Sequence, residues 1–324
     1  MTLPRYSVYG LTFETDHGFS YPVPAGVEPP DVHFACRVGE PDPTWWIDAE
    51  QVLREEFDHG GVITWHRGAA ADLIDIAGIS QFRVTQRVIE CVAFDDEALL
   101  LVEIQLLGLV LAFWLERQQI PALHASAVVR EGRAYAFLAP GGGGKTTIAA
   151  TLVDAGDRLL TDDLLVLRTG VDLIRASPGY PQYRMWPADA TRFAGAIDTS
   201  QRAHPGFDKR RVAADAMGGG FHGAGVPLAG LYFLERMRGI ETVRPVISDL
   251  PVRSAVLMLL GNLMLADVVQ AFGWAPQRLQ TLADLCGAVP VRKLRYPDDH
   301  GAIGEVRSVV EDDMDRTTAM QSRR

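Results

Sequence analysis

The sequence predicts a mixed α/β (α+β) chain, with a β-rich N-terminal part and a phosphate-loop core behind it. Three observations predict this. The stretch "FLAPGGGGKTTIAATLVDAG", Phe137 to Gly156, reads as strand, glycine loop and helix. Residues 1–95 hold short alternating runs punctuated by glycine and proline. Two apolar stretches, Ala98 to Glu116 and Ser254 to Phe272, are long enough for helices and carry polar interruptions.

In chain order, "YSVYGLTFET", "HFACRVG", "GVITWHRG" and "SQFRVTQRVIECVAF" read as strands, with Trp45 and Trp46 as packing residues. A helix over Asp95 to Gln118 closes this part. Glu103 and Gln105 break the first apolar stretch, and Asn262 and Asp267 the second, which favours buried helices over membrane spans. "PALHASAVVREGRAYAFLAP" predicts two strands joined by a turn at Glu131-Gly132. After the loop helix, "DRLLTDDLLVLR" predicts two short strands around paired aspartates. "SPGYPQYRMWP" is a loop or short strand, and Leu228 to Glu235 a strand. Helices follow at Pro251 to Phe272 and Pro276 to Cys286, then the strand "VPVRKLRYP". Ser200 to Gly225, rich in Gly, Ala and charge, predicts a mobile loop. The tail from Asp312 is polar and expected to fray. The expected parts are therefore 1–95, a linking helix at 96–120, a core at 121–311 and a tail at 312–324.

The 324 residues are 48% apolar and 22% charged, as in ordinary globular chains. A net charge of −10 argues against a non-specific nucleic-acid surface. Cys36, Cys91 and Cys286 are scattered, odd in number and in no C-x-x-C pair, which argues against a disulfide scaffold or a zinc site and fits a reducing cytoplasm. "MTLPRYSVYG" lacks the basic and apolar segments of a signal peptide.

Glycine loses the most backbone freedom on folding, so four in a row imply that something approaches the backbone closely. A helix N-terminus offers free N–H groups and partial positive charge to anions. Gly141, Gly142, Gly143 and Gly144 let those groups wrap a phosphate. Lys145 adds a full charge, Thr146 a hydroxyl for Mg²⁺, and Thr147 continues the helix start. Ala139 stands where the pattern has its first glycine, and a negative φ there would tolerate it. The plainer alternative is a flexible hairpin tip beside a chance Gly-Lys-Thr. Asp162 and Asp163 lie between apolar runs, where adjacent carboxylates need a cation or partner. One can hold the metal or its waters, while the other takes a proton from an attacking hydroxyl. The alternative is an ordinary β-turn. His124 stands at the start of the strand leading towards the loop.

The order "LHASAVV", "APGGGGKTT", "LLTDD" resembles the C-terminal kinase domain of the HPr kinase/phosphorylase family, related in fold to phosphoenolpyruvate carboxykinase. That resemblance spans about Pro121 to Pro297. "SPGYPQYRMWPADA", "PGFDKRRV", "PLAGLYFLER" and "YSVYGLTFET" are similar to HPr-kinase-like proteins of peptide natural-product pathways, including lasso peptide kinases. The resemblance implies ATP and Mg²⁺. It places Lys145 on the β- and γ-phosphates, Thr146 and Asp163 on the metal, Asp162 as general base, and His124 beside the transferred group. It brings Arg184, Lys209 and Arg210 towards the site from substrate or lid segments. "QYRMW" departs from the bifunctional enzymes, which carry an acidic residue before an Arg-Gly signature.

The expected activity is transfer of the γ-phosphoryl group to a Ser or Thr hydroxyl of a peptide or small protein, such as a ribosomal natural-product precursor. The alternatives are a small-molecule kinase of carboxykinase-like fold and a non-catalytic nucleotide-binding switch. The expected partners are nucleotide and phosphoacceptor, with neither nucleic acid nor membrane, and a homo-oligomer is left open.

Overall fold

The structure, a computed structural model, describes residues 3–57, 60–170, 173–195, 202–204, 207–238 and 244–321. The chain divides into two compact units. One comprises Met1–Ile120 with Met264–Gln277, the other Pro121–Leu263 with Arg278–Arg324.

The first unit holds β1 (Arg5–Val8), β2 (Leu11–Thr15), β3 (Val32–Val38), β4 (Glu50–Glu56), β5 (Val62–Arg67), β6 (Asp72–Ile76), β7 (Ser80–Val84) and β8 (Val88–Ala93). They form one eight-stranded sheet in the order β1-β2-β3-β8-β7-β6-β5-β4. Pairing is parallel at β2–β3 and β3–β8 and antiparallel elsewhere. The helix that follows starts where Asp95 Oδ1 accepts the Ala98 N–H at 2.8 Å, an N-terminal cap. It runs as α1 (Ala98–Gln105), a π-helical turn over Leu106–Val110, and α2 (Leu111–Arg117). Its length and composition would suffice to cross a membrane, but 61% of its most apolar stretch is buried within the protein. Phe113 packs against Trp65, Phe272 and Trp274, the last two from the 264–277 segment.

The second unit begins with β9 (Ala122–Arg130), β10 (Arg133–Leu138), α3 (Lys145–Asp154), β11 (Arg158–Thr161), β12 (Leu164–Thr169) and β13 (Ile174–Ser177). Then come β14 (Gln182–Met185), α4 (Pro187–Ala194), β15 (Arg202–His204), β16 (Phe207–Ala213), β17 (Val226–Met237) and β18 (Val246–Asp249). The chain continues through α5 (Val252–Leu260), α6 (Ala266–Ala271, in the segment lent to the first unit), α7 (Ala275–Ala288), β19 (Val291–Pro297) and α8 (Ile303–Gln321). The main sheet runs β10-β9-β12-β13-β17-β19-β18, with β11 also on β9. Because β10 pairs again with β17, in parallel, five strands close into a ring. The hairpin turn between β9 and β10 puts Glu131 and Gly132 at φ 50° and 74°, the left-handed geometry a tight hairpin needs. Ile148, Leu152 and Val153 of α3 share a core with Phe137, Tyr232, Val310 and Met314.

Three expectations are corrected. The polar tail expected to fray from Asp312 is the second half of α8. Val306, Val310, Met314 and Thr317 fall on one face and are buried, and Arg292 pairs with the buried Asp313 at 2.6 Å. The stretch from Pro251 to Phe272 is two helices, α5 and α6, rather than one. The loop expected over Ser200 to Gly225 is, from Phe207 to Ala213, a strand paired with β14 and β15. Residues 200–201 and 205–206 of that stretch lie outside the described residues. Gly219 acts as a packing glycine, since a Cβ there would lie 2.8 Å from the Val153 carbonyl oxygen.

Candidate functional site

The parallel strands β10, β17 and β19 end side by side, and the carboxyl edge of such strands is where α/β sheets hold ligands. Past Leu138 the chain turns through Ala139–Gly144 into α3. Ala139 is not among the residues with positive φ, so alanine fits where the pattern has glycine. Gly142 and Gly144 do need glycine's freedom, at φ 72° and 90°. Gly143 needs its missing side chain, because a Cβ would sit 2.5 Å from that of Ala139 and 2.9 Å from the Pro140 oxygen. Gly141 meets neither constraint. The Gly143 N–H donates to Pro140 O at 3.0 Å, and Tyr296 Oη donates to Gly143 O at 3.1 Å, which fixes the loop's curvature. The first N–H groups of α3, unpaired within the helix, open onto this concave loop. Lys145 is 6% exposed, and its Nζ donates to Ala139 O at 2.7 Å and Pro140 O at 3.3 Å. Burial pulls its pKa down, opposed by Asp163 and Asp162.

The aspartates form the turn between β11 and β12, which Thr161 closes by donating its hydroxyl to Leu164 O at 2.7 Å. Asp163 takes φ 73°, so the two side chains serve different surroundings. Asp162 is 6% exposed and fully engaged. Its Oδ1 accepts from Ser126 at 2.5 Å and Thr146 at 2.9 Å, and its Oδ2 accepts the Arg184 N–H at 3.0 Å. Burial and then the charge of Asp163 raise its pKa, against the pull of those hydrogen bonds. Asp163 pairs with Arg184 Nη1 at 3.2 Å. Burial would raise it too, but Arg184, Lys209, His124 and Lys145 outweigh burial and hold it below the usual carboxylate range. His124 sits opposite Leu164 in the β9–β12 register, and its Nδ1–H donates to Asp163 O at 3.0 Å. A carbonyl can only accept, so a neutral imidazole keeps its lone pair on Nε2. Burial, and then Lys145, lower the pKa of His124.

These groups line one cavity of about 260 Å³. Gly141 to Thr147 form one wall, and His124, Asp163, Arg184 and Lys209 stand around it. Asp162 lies behind that wall, reaching the site through Thr146. Lys209 is held in β16, with its Nζ 5.8 Å from the ring centre of Trp186. Arg210, the other residue expected from this segment, is not among the lining residues and pairs with Asp208 at 2.9 Å. Thr147 donates its hydroxyl to Asp189 at 2.9 Å. Sequence reasoning missed Ser126, Trp186, Asp189, Arg236 and Tyr296. Ser126 had a signal, since it lies two residues after His124 and so faces the same side of a strand. Arg236 and Tyr296 had none, because only the β17–β19 register makes them neighbours.

No protein-family model matches this chain, and no curated protein does. Among solved structures, the HPr(Ser) kinase/phosphatase from Coxiella burnetii is similar at 12% identity and a TM-score of 0.33, covering 61% of this chain and 98% of that one. Overlap at this level is too slight to argue from, so the chemistry below stands on the loop and the carboxylates.

Proposed function

We propose that the second unit is an ATP-dependent kinase of HPr-kinase-like character that phosphorylates a Ser or Thr hydroxyl on a peptide or small protein. One observation carries this reading: a glycine loop at a helix N-terminus with a buried lysine, with Asp163 lining the same cavity and Asp162 behind its wall, bonded to Thr146. The loop N–H groups and Lys145 suit the β- and γ-phosphates. Among the described residues no group of three or more His, Cys, Asp or Glu could hold a metal. Thr146 and Asp162 offer hard oxygens in the number that suits Mg²⁺, which takes few protein ligands beside phosphates and waters. When bound, Mg²⁺ neutralises charge on the phosphates.

The surroundings favour an exchange of the roles expected for the aspartates. Asp162, buried and bonded to Thr146, belongs with the cation. Asp163, which lines the cavity, is the carboxylate an acceptor hydroxyl can reach. As the acceptor oxygen attacks the γ-phosphorus, its proton passes to Asp163. The bond to the β–γ bridging oxygen breaks, and its electron pair leaves with ADP. Arg184 and Lys209 stand where the transferred charge develops. A peptide acceptor is favoured by Trp186, a 47% exposed aromatic at the cationic rim, and by the likeness of "YSVYGLTFET" and "PLAGLYFLER" to peptide-pathway kinases.

Phosphate transfer to peptides, followed by mass spectrometry, tests the reading. Lys145→Ala should abolish it. Asp163→Asn should slow it about 10²–10⁴-fold with little change in Mg²⁺ demand, and Asp162→Asn should raise that demand first. The opposite pattern would return the base to Asp162. Full turnover by Lys145→Ala at saturating ATP would sink the kinase reading.

A further inference from the structure

We infer that the nucleoside end of the nucleotide is received by a second, smaller cavity beyond Arg236, an inference that rests on the kinase reading. This cavity is lined by Thr147, Arg236, Tyr296, Asp298, Asp299 and Ile303, with Pro297. It shares Thr147 and Arg236 with the larger one, so the two meet at the first turn of α3.

Charge sorts the two. The larger cavity sets loop N–H groups, Lys145, Arg184 and Lys209 against Asp163 and Asp189, an excess of positive charge that suits phosphates. The smaller has two carboxylates, a phenol ring and an isoleucine. Phosphates would be repelled there. A nucleoside is neutral, carries hydroxyl or amino donors for carboxylates, and has a planar body for apolar and aromatic walls. The enclosed part is only about 20 Å³, so it takes an edge of the ligand rather than its whole body.

Arg236 marks the boundary. It is the register partner of Tyr296, its Cζ lies 6.0 Å from that ring centre, and Asp298 holds its Nη1 at 3.2 Å. Its Nη2 reaches the loop, 3.0 Å from where a Cβ on Gly144 would be. Its Nε is buried without a hydrogen-bond partner among the described residues. A guanidinium held by Asp298 on one edge, with its Nη2 turned to the glycine loop and the N-terminus of α3 beside it, suits an anion at the junction. A phosphate next to the nucleoside meets that need. The reacting end then falls on the other side of the loop, where Asp163, His124 and Arg184 are bonded together.

Calorimetry on the full chain with Mg-ATP and Mg-tripolyphosphate tests this. Ile303→Trp, which fills the small cavity, should weaken ATP at least tenfold and leave tripolyphosphate within about twofold. That retained affinity also shows that the variant folds. Asp299→Asn, which keeps a side-chain acceptor for the Gly301 N–H, should weaken ATP alone and serves if Ile303→Trp does not fold. Lys145→Ala should weaken both ligands. If both ligands bind the parent and neither variant separates them, the nucleoside site is wrong while the loop reading stands. If the parent binds neither, both fall. Loss of peptide binding with ATP affinity intact would make the small cavity an acceptor site and overturn the inference.

Discussion

Asp157, just past the end of α3, is 6% exposed, and its two oxygens are unequally treated. Arg130 donates to Oδ1 at 3.1 Å, while Oδ2 is buried without a hydrogen-bond partner among the described residues. Burial therefore pushes its pKa up to about 6, with Arg130 pulling the other way. The folded protein holds this proton more tightly than the unfolded chain does. Stability from this group is full below about pH 4, falls as pH rises towards 6, and is level above; two units correspond to about 3 kcal/mol at most. Asp157→Asn should flatten that fall while keeping the Arg130 contact, so parent and variant urea midpoints should diverge between pH 4 and 6. Parallel curves would show the carboxyl to be solvated. At this scale the residues gathered at the candidate site were legible where chemistry and adjacency coincide, as in Lys145-Thr146 and Asp162-Asp163. The unlike surroundings of the aspartate pair were not, because they depend on Ser126, Thr146 and the backbone of Arg184 converging on one carboxylate.

Helix α8 shows how composition misleads about an element. Its sequence "EDDMDRTT" is polar, yet Met314 is fully buried beside α3. Asp313, which reads as solvent-facing, accepts from Arg292 at 2.6 Å and from Tyr232 Oη at 2.8 Å. Tyr135 Oη donates to Met314 O at 2.9 Å. The i, i+4 spacing of Val306, Val310 and Met314 was visible, but a boundary drawn at Asp312 cuts it. Met314→Ala should cost about 2–5 kcal/mol in chemical denaturation, the range for a buried large-to-small change; a frayed tail would lose nothing. Strand β16 makes the opposite point: glycine around it signals close packing. Gly219→Ala should destabilise by about 1–3 kcal/mol, since a side chain meets the backbone of Val153 and Asp157. Trypsin should cut slowly after Lys209, Arg210 and Arg211 with or without nucleotide, because Arg210 and Arg211 pair with β14 and Lys209 precedes them in the same strand. Rapid cleavage that nucleotide suppresses would restore a mobile lid.

Over the whole molecule, sequence reading drew consecutive boundaries at 95, 120 and 311, whereas the first unit is made of two separate pieces. Strand and helix patterns report local order and carry no mark of which distant core a segment joins. Val268, Val269 and Phe272 are buried, and Phe272 and Trp274 pack on Phe113. A fragment of residues 121–324 should therefore expose this apolar segment and self-associate in size-exclusion chromatography. Replacing 264–277 by a glycine-serine linker should return it to a monomer. A monomeric unmodified fragment would mean that the segment finds cover without residues 1–120. The borrowed segment also sets a timetable. Ribosomes add about 5–20 residues per second, so the 143 residues between Ile120 and Met264 take roughly seven to thirty seconds to make. Throughout that interval Phe113 has been made while Phe272 and Trp274 are still untranslated. The newborn sheet waits with an open flank, and a holding chaperone has its opportunity then.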